Sequence, residues 1–161
     1  MRGGRLVMSP REGTANSWAT GRLFKLLDAA AEQVGIPVYT SVNMMFTKQT
    51  WIEPDLAVLR NHVDDEVWVP AEEILMPVEL ISRGSRRRDR IDKPRLCAAA
   101  GVPYFLLVEI HRGEVAVELH KLVDGSYVEA ARATGGERFV TPEPFPLNFD
   151  PAELLAGRAT R

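Results

Sequence analysis

The run Ile-Leu-Met-Pro-Val-Glu-Leu-Ile-Ser at residues 74–82 is apolar on both of its alternating faces. Such a strand is stable only where both faces are covered, which puts it in the middle of a sheet with a layer on each side. One residue breaks the pattern. Glu79 stands between Val78 and Leu80, and an ionised carboxylate there is costly unless it is paired or bound to a metal.

The rest of the chain supplies the layers. Trp18, Leu23, Leu26, Leu27, Ala30 and Val34 recur at helical spacing and predict an amphipathic helix over residues 17–33, stopped by Gly35 and Pro37. Residues 38–46 are rich in β-branched and aromatic side chains and predict one strand. Residues 54–60 predict a second, opened by Pro54 where a missing N–H is tolerated. Residues 61–71 read as a loop or short helix, 84–92 as a basic loop or helix start, and 93–100 as a helix closed by Gly101 and Pro103. Residues 104–110 form another apolar strand. Turns at Arg112-Gly113 and Asp124-Gly125 then set up a hairpin, and a proline-rich tail ends in a short helix near residues 151–156. The order predicts an α/β fold with a mixed sheet, in which a helix crosses between two parallel strands. The length of 161 residues suits one domain.

Composition excludes several classes. The single cysteine, Cys97, leaves neither a disulfide framework nor a cysteine zinc site. No apolar run reaches the roughly 20 residues of a membrane span. The start of the chain lacks the apolar stretch of a secretory signal, so a cytoplasmic protein is expected. Net charge is −2, which rules out only global basicity. It averages an acidic stretch (Asp64, Asp65, Glu66, Glu72, Glu73) and a basic one at residues 83–95. A ligand feels the local patch, because screening acts over about 8 Å at physiological salt.

Asp55 opens the strand before that of Glu79. Neighbouring strands lie roughly 5 Å apart, so the two carboxylates can share one cation. All-oxygen donors with open positions suit Mg²⁺ or Mn²⁺. Lys93, on the following helix, can reach back over the same strand ends. Metal, carboxylates and lysine together suit phosphodiester hydrolysis. A buried ion pair between Glu79 and Lys93, or an arginine of the run Arg86, Arg87, Arg88, is the structural alternative.

Four short motifs occur in a specific order: Glu-Pro-Asp55, Pro-Val-Glu79-Leu-Ile-Ser82, Arg-Arg-Asp89-Arg-Ile-Asp-Lys93 and Ala-Ala-Gly101-Val-Pro-Tyr-Phe-Leu-Leu-Val-Glu109. Together they resemble the Uma-type "putative restriction endonuclease" family of the PD-(D/E)XK nuclease superfamily. The likeness covers most of the chain, from Gly4 to the Pro-Phe-Pro-Leu tail. It implies a restriction-endonuclease-like core, a divalent metal, and Asp55 and Glu79 as the first and second acids. The superfamily lysine stands two residues after the second acid, where this chain has Ile81. The resemblance moves that role to Lys93. Family members also carry a segment ahead of residues 4–10, which is expected to be missing here.

Asp89, four residues before Lys93, is expected to support the site from behind. Glu53 and Glu109 are weaker candidates for the metal, and the three histidines have no ligand spacing. Arg86, Arg87 and Arg88 are suited to the phosphate backbone, since guanidinium binds two oxygens at once. The tryptophans are expected to be core or interface anchors. The expected partner is DNA, and the chain is expected to be a homodimer. The competing expectations are a non-catalytic nucleic-acid-binding module and a homodimeric interaction protein.

Overall fold

The computed structural model describes residues 13–82 and 84–158; the stretch 4–10 and Arg83 lie outside them. The chain opens with α1 (Thr14–Glu32), in which Ala19, Leu23, Leu27 and Ala31 recur every four residues and are fully buried. Gly35 takes φ 71° just beyond it, as a helix end requires. Trp18 and Val34 are not part of that buried stripe, being 44% and 52% exposed.

The strands follow as β1 (Val38–Thr40), β2 (Asn43–Thr47), β3 (Thr50–Ile52), β4 (Leu56–Leu59), β5 (Trp68–Pro70) and β6 (Ile74–Ile81). The single strand expected at 38–46 is two strands in two sheets. Ser41, at φ 55°, turns the chain between them. A continuous helical segment then runs through a π-helical turn (Arg88–Asp92) into α2 (Lys93–Ala99). Pro94 explains the wide turn. Its ring removes one N–H and crowds the carbonyl four residues back, so a regular α-turn cannot form there.

After α2 come β7 (Tyr104–His111), β8 (Glu114–Val123), β9 (Ser126–Thr134), β10 (Phe139–Thr141), β11 (Leu147–Phe149) and a 3-10 helix (Pro151–Leu155). Arg112-Gly113 and Asp124-Gly125 all have positive φ, the geometry of tight two-residue hairpin turns. The β10–β11 pair was not expected from the sequence, because three-residue strands in a proline-rich tail are too short to show a period.

The main sheet has the order β1-β4-β6-β7-β8-β9; only β6 and β7 run parallel, joined through α2. The mixed α/β architecture is therefore as expected, with β6 central. One face of the sheet (Leu56, Val58, Met76, Val78, Leu80, Leu106) buries itself with Leu23 and Leu27 of α1. The other face (Ala57, Leu59, Ile74, Ile81, Phe105, Leu107) packs with Cys97 of α2 and with Met44 and Val69 of a small sheet, β3-β2-β5. Phe105 is fully buried and meets Tyr127 edge to face. Phe105→Ala is expected to cost about 3–5 kcal/mol, read as a lowered urea midpoint. No helix among the described residues is long and apolar enough to cross a membrane.

Candidate active site

The site is built at the junction of β4 and β6. Leu56 pairs with Val78, so Asp55, one residue earlier, stands against Glu79. β4 begins only after Pro54, and the Leu80 N–H is taken by the Asp55 carboxylate instead, donating to Oδ2 at 2.6 Å. A charge-assisted bond of that length fixes the Asp55 side chain beside β6. The carbonyls that follow on β6 are held as well. The Asn16 amide on α1 donates to the Leu80 and Ile81 carbonyls, both at 3.3 Å.

Glu79 is 2% exposed. Lys93 crosses from α2 and places Nζ 2.6 Å from Glu79 Oε1 and 3.0 Å from Asp89 Oδ1. Asp89 and Lys93 do share one helical segment, and their pair is an i,i+4 contact. Ile81 fills the apolar layer between the sheet and α2, so the ammonium arrives from the helix above rather than from the strand. Burial pushes the Glu79 carboxyl well above its ordinary range; Lys93 pulls it down, and Asp55 and Asp89 push it further up. For Lys93, burial works against the charge, but Glu79 and Asp89 outweigh it and the pKa rises. Two buried carboxylates, Glu79 and Asp89, thus converge on one lysine.

The donor set fits a hard divalent cation. One lysine answers two buried carboxylates, Glu79 at 2.6 Å and Asp89 at 3.0 Å, and Asp55 stands beside Glu79 on the neighbouring strand. Buried carboxylate oxygens left this way are under-compensated, and all-oxygen donors suit Mg²⁺ or Mn²⁺ rather than zinc.

The basic run divides by helical face. Arg86 binds Glu109 at 3.0 Å, and Arg90 binds Glu109 at 2.6 Å and Glu118 at 3.1 Å. Together with Lys93 these cations tie the segment down onto the sheet. Arg87 is exposed and Arg88 half-buried. Glu109 therefore serves arginines rather than the Asp55–Glu79 pair, and Glu53 is exposed. Sequence reading missed Arg90, Glu118 and Asn16. Glu118 carried little signal: unlike Glu79, it falls on the polar phase of an alternating strand, with Val115, Val117 and Leu119 on the other face. Glu118, His120 and Glu129 also bring ligand atoms within 4.8 Å of one another. Arg90 and Arg132 already hold Glu118, at 3.1 and 3.5 Å, and their charge opposes a cation there.

Residues 1–156 match the family Uma2, described as "Putative restriction endonuclease". The chain belongs to the Uma2 family. Among solved structures, it is similar to a protein from Anabaena variabilis described as "a putative nuclease belonging to DUF820". The TM-score is 0.69 at 13% identity, over 94% of this chain and 86% of that one. That likeness is one of fold. No curated protein matches the chain. Uma2 membership gives the mixed α/β core a nuclease family, and with it the expectation of a divalent metal and a nucleic-acid substrate.

Proposed function

We propose that this Uma2 protein is a divalent-metal-dependent endonuclease that hydrolyses phosphodiester bonds in DNA. The observation that carries the reading is the Lys93 ammonium, 2.6 Å from Glu79 on a strand whose next peptide N–H is held by Asp55. Two acids and a lysine thus meet at one strand junction, although the lysine is absent from its usual place on the strand.

Asp55 and Glu79 would hold Mg²⁺ or Mn²⁺. The bound ion supplies charge for a phosphate oxygen and lowers the pKa of a water molecule. Lys93 stabilises the extra negative charge of the transition state and orients the attacking water. Asp89, 3.0 Å from the ammonium, would keep Lys93 in place beside the metal-binding acids. Arg86, Arg87 and Arg88 hold the phosphate backbone. Arg87 has no acid within ion-pair distance among the described residues, and Arg86 can exchange Glu109 for phosphate because its side chain is 64% exposed.

Incubation with supercoiled plasmid tests the proposal. Nicked and linear products are expected with Mg²⁺ or Mn²⁺ and not with EDTA, and Asp55→Ala is expected to slow cleavage by about a hundredfold or more. Cleavage by Asp55→Ala at the parent rate would remove Asp55 from the site. Salt-sensitive DNA binding without turnover would instead identify a binding module.

A further inference from the structure

We propose that the outer face of the small sheet β3-β2-β5 docks an arginine- or lysine-rich segment of another protein. The register of this sheet sorts its side chains. Met44 pairs with Ile52 and Val69, and Met44 and Val69 are fully buried against the main sheet. Met45 pairs with Trp51, and Asn43 with Trp68, so both indoles stand on the opposite, outer side. They meet edge to face with ring centroids 5.1 Å apart. Trp68 is 42% exposed, and Val67 beside it 64%. The proposed hydrolysis uses none of this surface. An indole as exposed as that of Trp68 forgoes burial that a partner could supply.

Charge selects the partner. Residues 61–73, which include β5, carry five acidic side chains and no lysine or arginine. Asp64, Asp65 and Glu66 are exposed and run directly into Val67 and Trp68, and Glu72, also exposed, follows β5. A negative rim repels a phosphate backbone and attracts cations. Guanidinium and ammonium groups also bind the faces of indoles, a contact worth most on tryptophan. Exposed aromatic area that follows Asp64, Asp65 and Glu66 directly in the chain therefore fits a cationic peptide and opposes DNA. The two surfaces have opposite sign: the arginine run beside the proposed active site faces nucleic acid, and this face takes protein.

Titration of the full chain with an octa-arginine peptide, followed by tryptophan emission and by calorimetry, tests the assignment. Saturable one-to-one binding that weakens with salt is expected. Trp68→Ala, which leaves the charge intact, is expected to lower affinity about fivefold or more. The triple variant Asp64→Asn, Asp65→Asn, Glu66→Gln, which leaves the indoles intact, is expected to lower it at least as much. These positions are all exposed, and circular dichroism checks that the fold is retained. Absence of binding overturns the proposal, and so does equal affinity in the Trp68→Ala variant, which would mean charge attraction alone. Trp68-dependent binding of an oligodeoxynucleotide would give the face to nucleic acid. Trp68-dependent self-association in sedimentation would give it to a second copy. Either result also overturns the proposal.

Discussion

Lys93→Met is expected to lower stability at pH 8 by about 3–5 kcal/mol, the range for removing one partner of a buried ion pair. The substitution keeps the length and apolar stem of the side chain but leaves Glu79 and Asp89, each 2% exposed, without the cation that lies 2.6 and 3.0 Å away. The loss has a predictable pH dependence. Burial already raises the Glu79 carboxyl, and Lys93 is the influence that pulls it down. Without Lys93 it rises further. The folded variant then binds a proton that the unfolded chain does not, so the deficit is largest above the raised folded pKa. It shrinks as pH falls toward the ordinary carboxylate range. Urea unfolding at pH 8 and pH 5 measures both values, and an equal deficit at the two would show that the lost contact is packing rather than charge.

Glu79→Gln is expected to separate stability from activity. Cleavage should fall by about a hundredfold or more, because an amide is a poor ligand for a hard divalent ion and cannot balance its charge. Stability at pH 8 should hold or rise. Burial is the largest influence on Glu79 and opposes its ionised form, so the parent is penalised above the folded pKa and relieved as pH falls through it. Glutamine has no such penalty, and Lys93 keeps Asp89 at 3.0 Å. The advantage of the variant should therefore narrow at pH 5. A loss at pH 8 as large as that of Lys93→Met would mean that the Glu79–Lys93 attraction exceeds the cost of burying both groups. Together the two variants test whether the protein tolerates a strained carboxylate for the sake of its chemistry.

Several features were legible in the residues because they depend on local pattern. The two-faced apolar run of β6 shows that it is central, and the same run makes Glu79 conspicuous. The Asn/Asp-Gly type of signal at Asp124-Gly125 places a hairpin, since few other residues accept positive φ at both positions. Asp55 was legible through the strand order, and Lys93 through the family motif.

Other features depend on register and on what lies across a face, which no local pattern carries. Ser41 sends β1 and β2 into different sheets, so one apparent strand serves two layers. The basic run looked uniform, but helical geometry turns Arg86, Arg90 and Lys93 toward the sheet and leaves Arg87 exposed. Trp18 and Trp68 had the composition of core residues and are exposed, because the buried stripe of α1 and the inner face of the small sheet run through other positions. Sequence alone determined the mixed α/β layering and nominated Asp55, Glu79 and Lys93, since burial pattern and residue chemistry are written one position at a time. Only the tertiary structure decided that Lys93 reaches Glu79 and Asp89 together, and that Leu80 is held at its N–H by Asp55 and at its carbonyl, like that of Ile81, by Asn16. Those contacts join residues up to 65 positions apart, and a separation of that size is closed by the packing of α1, β4, β6 and α2, not by any local preference.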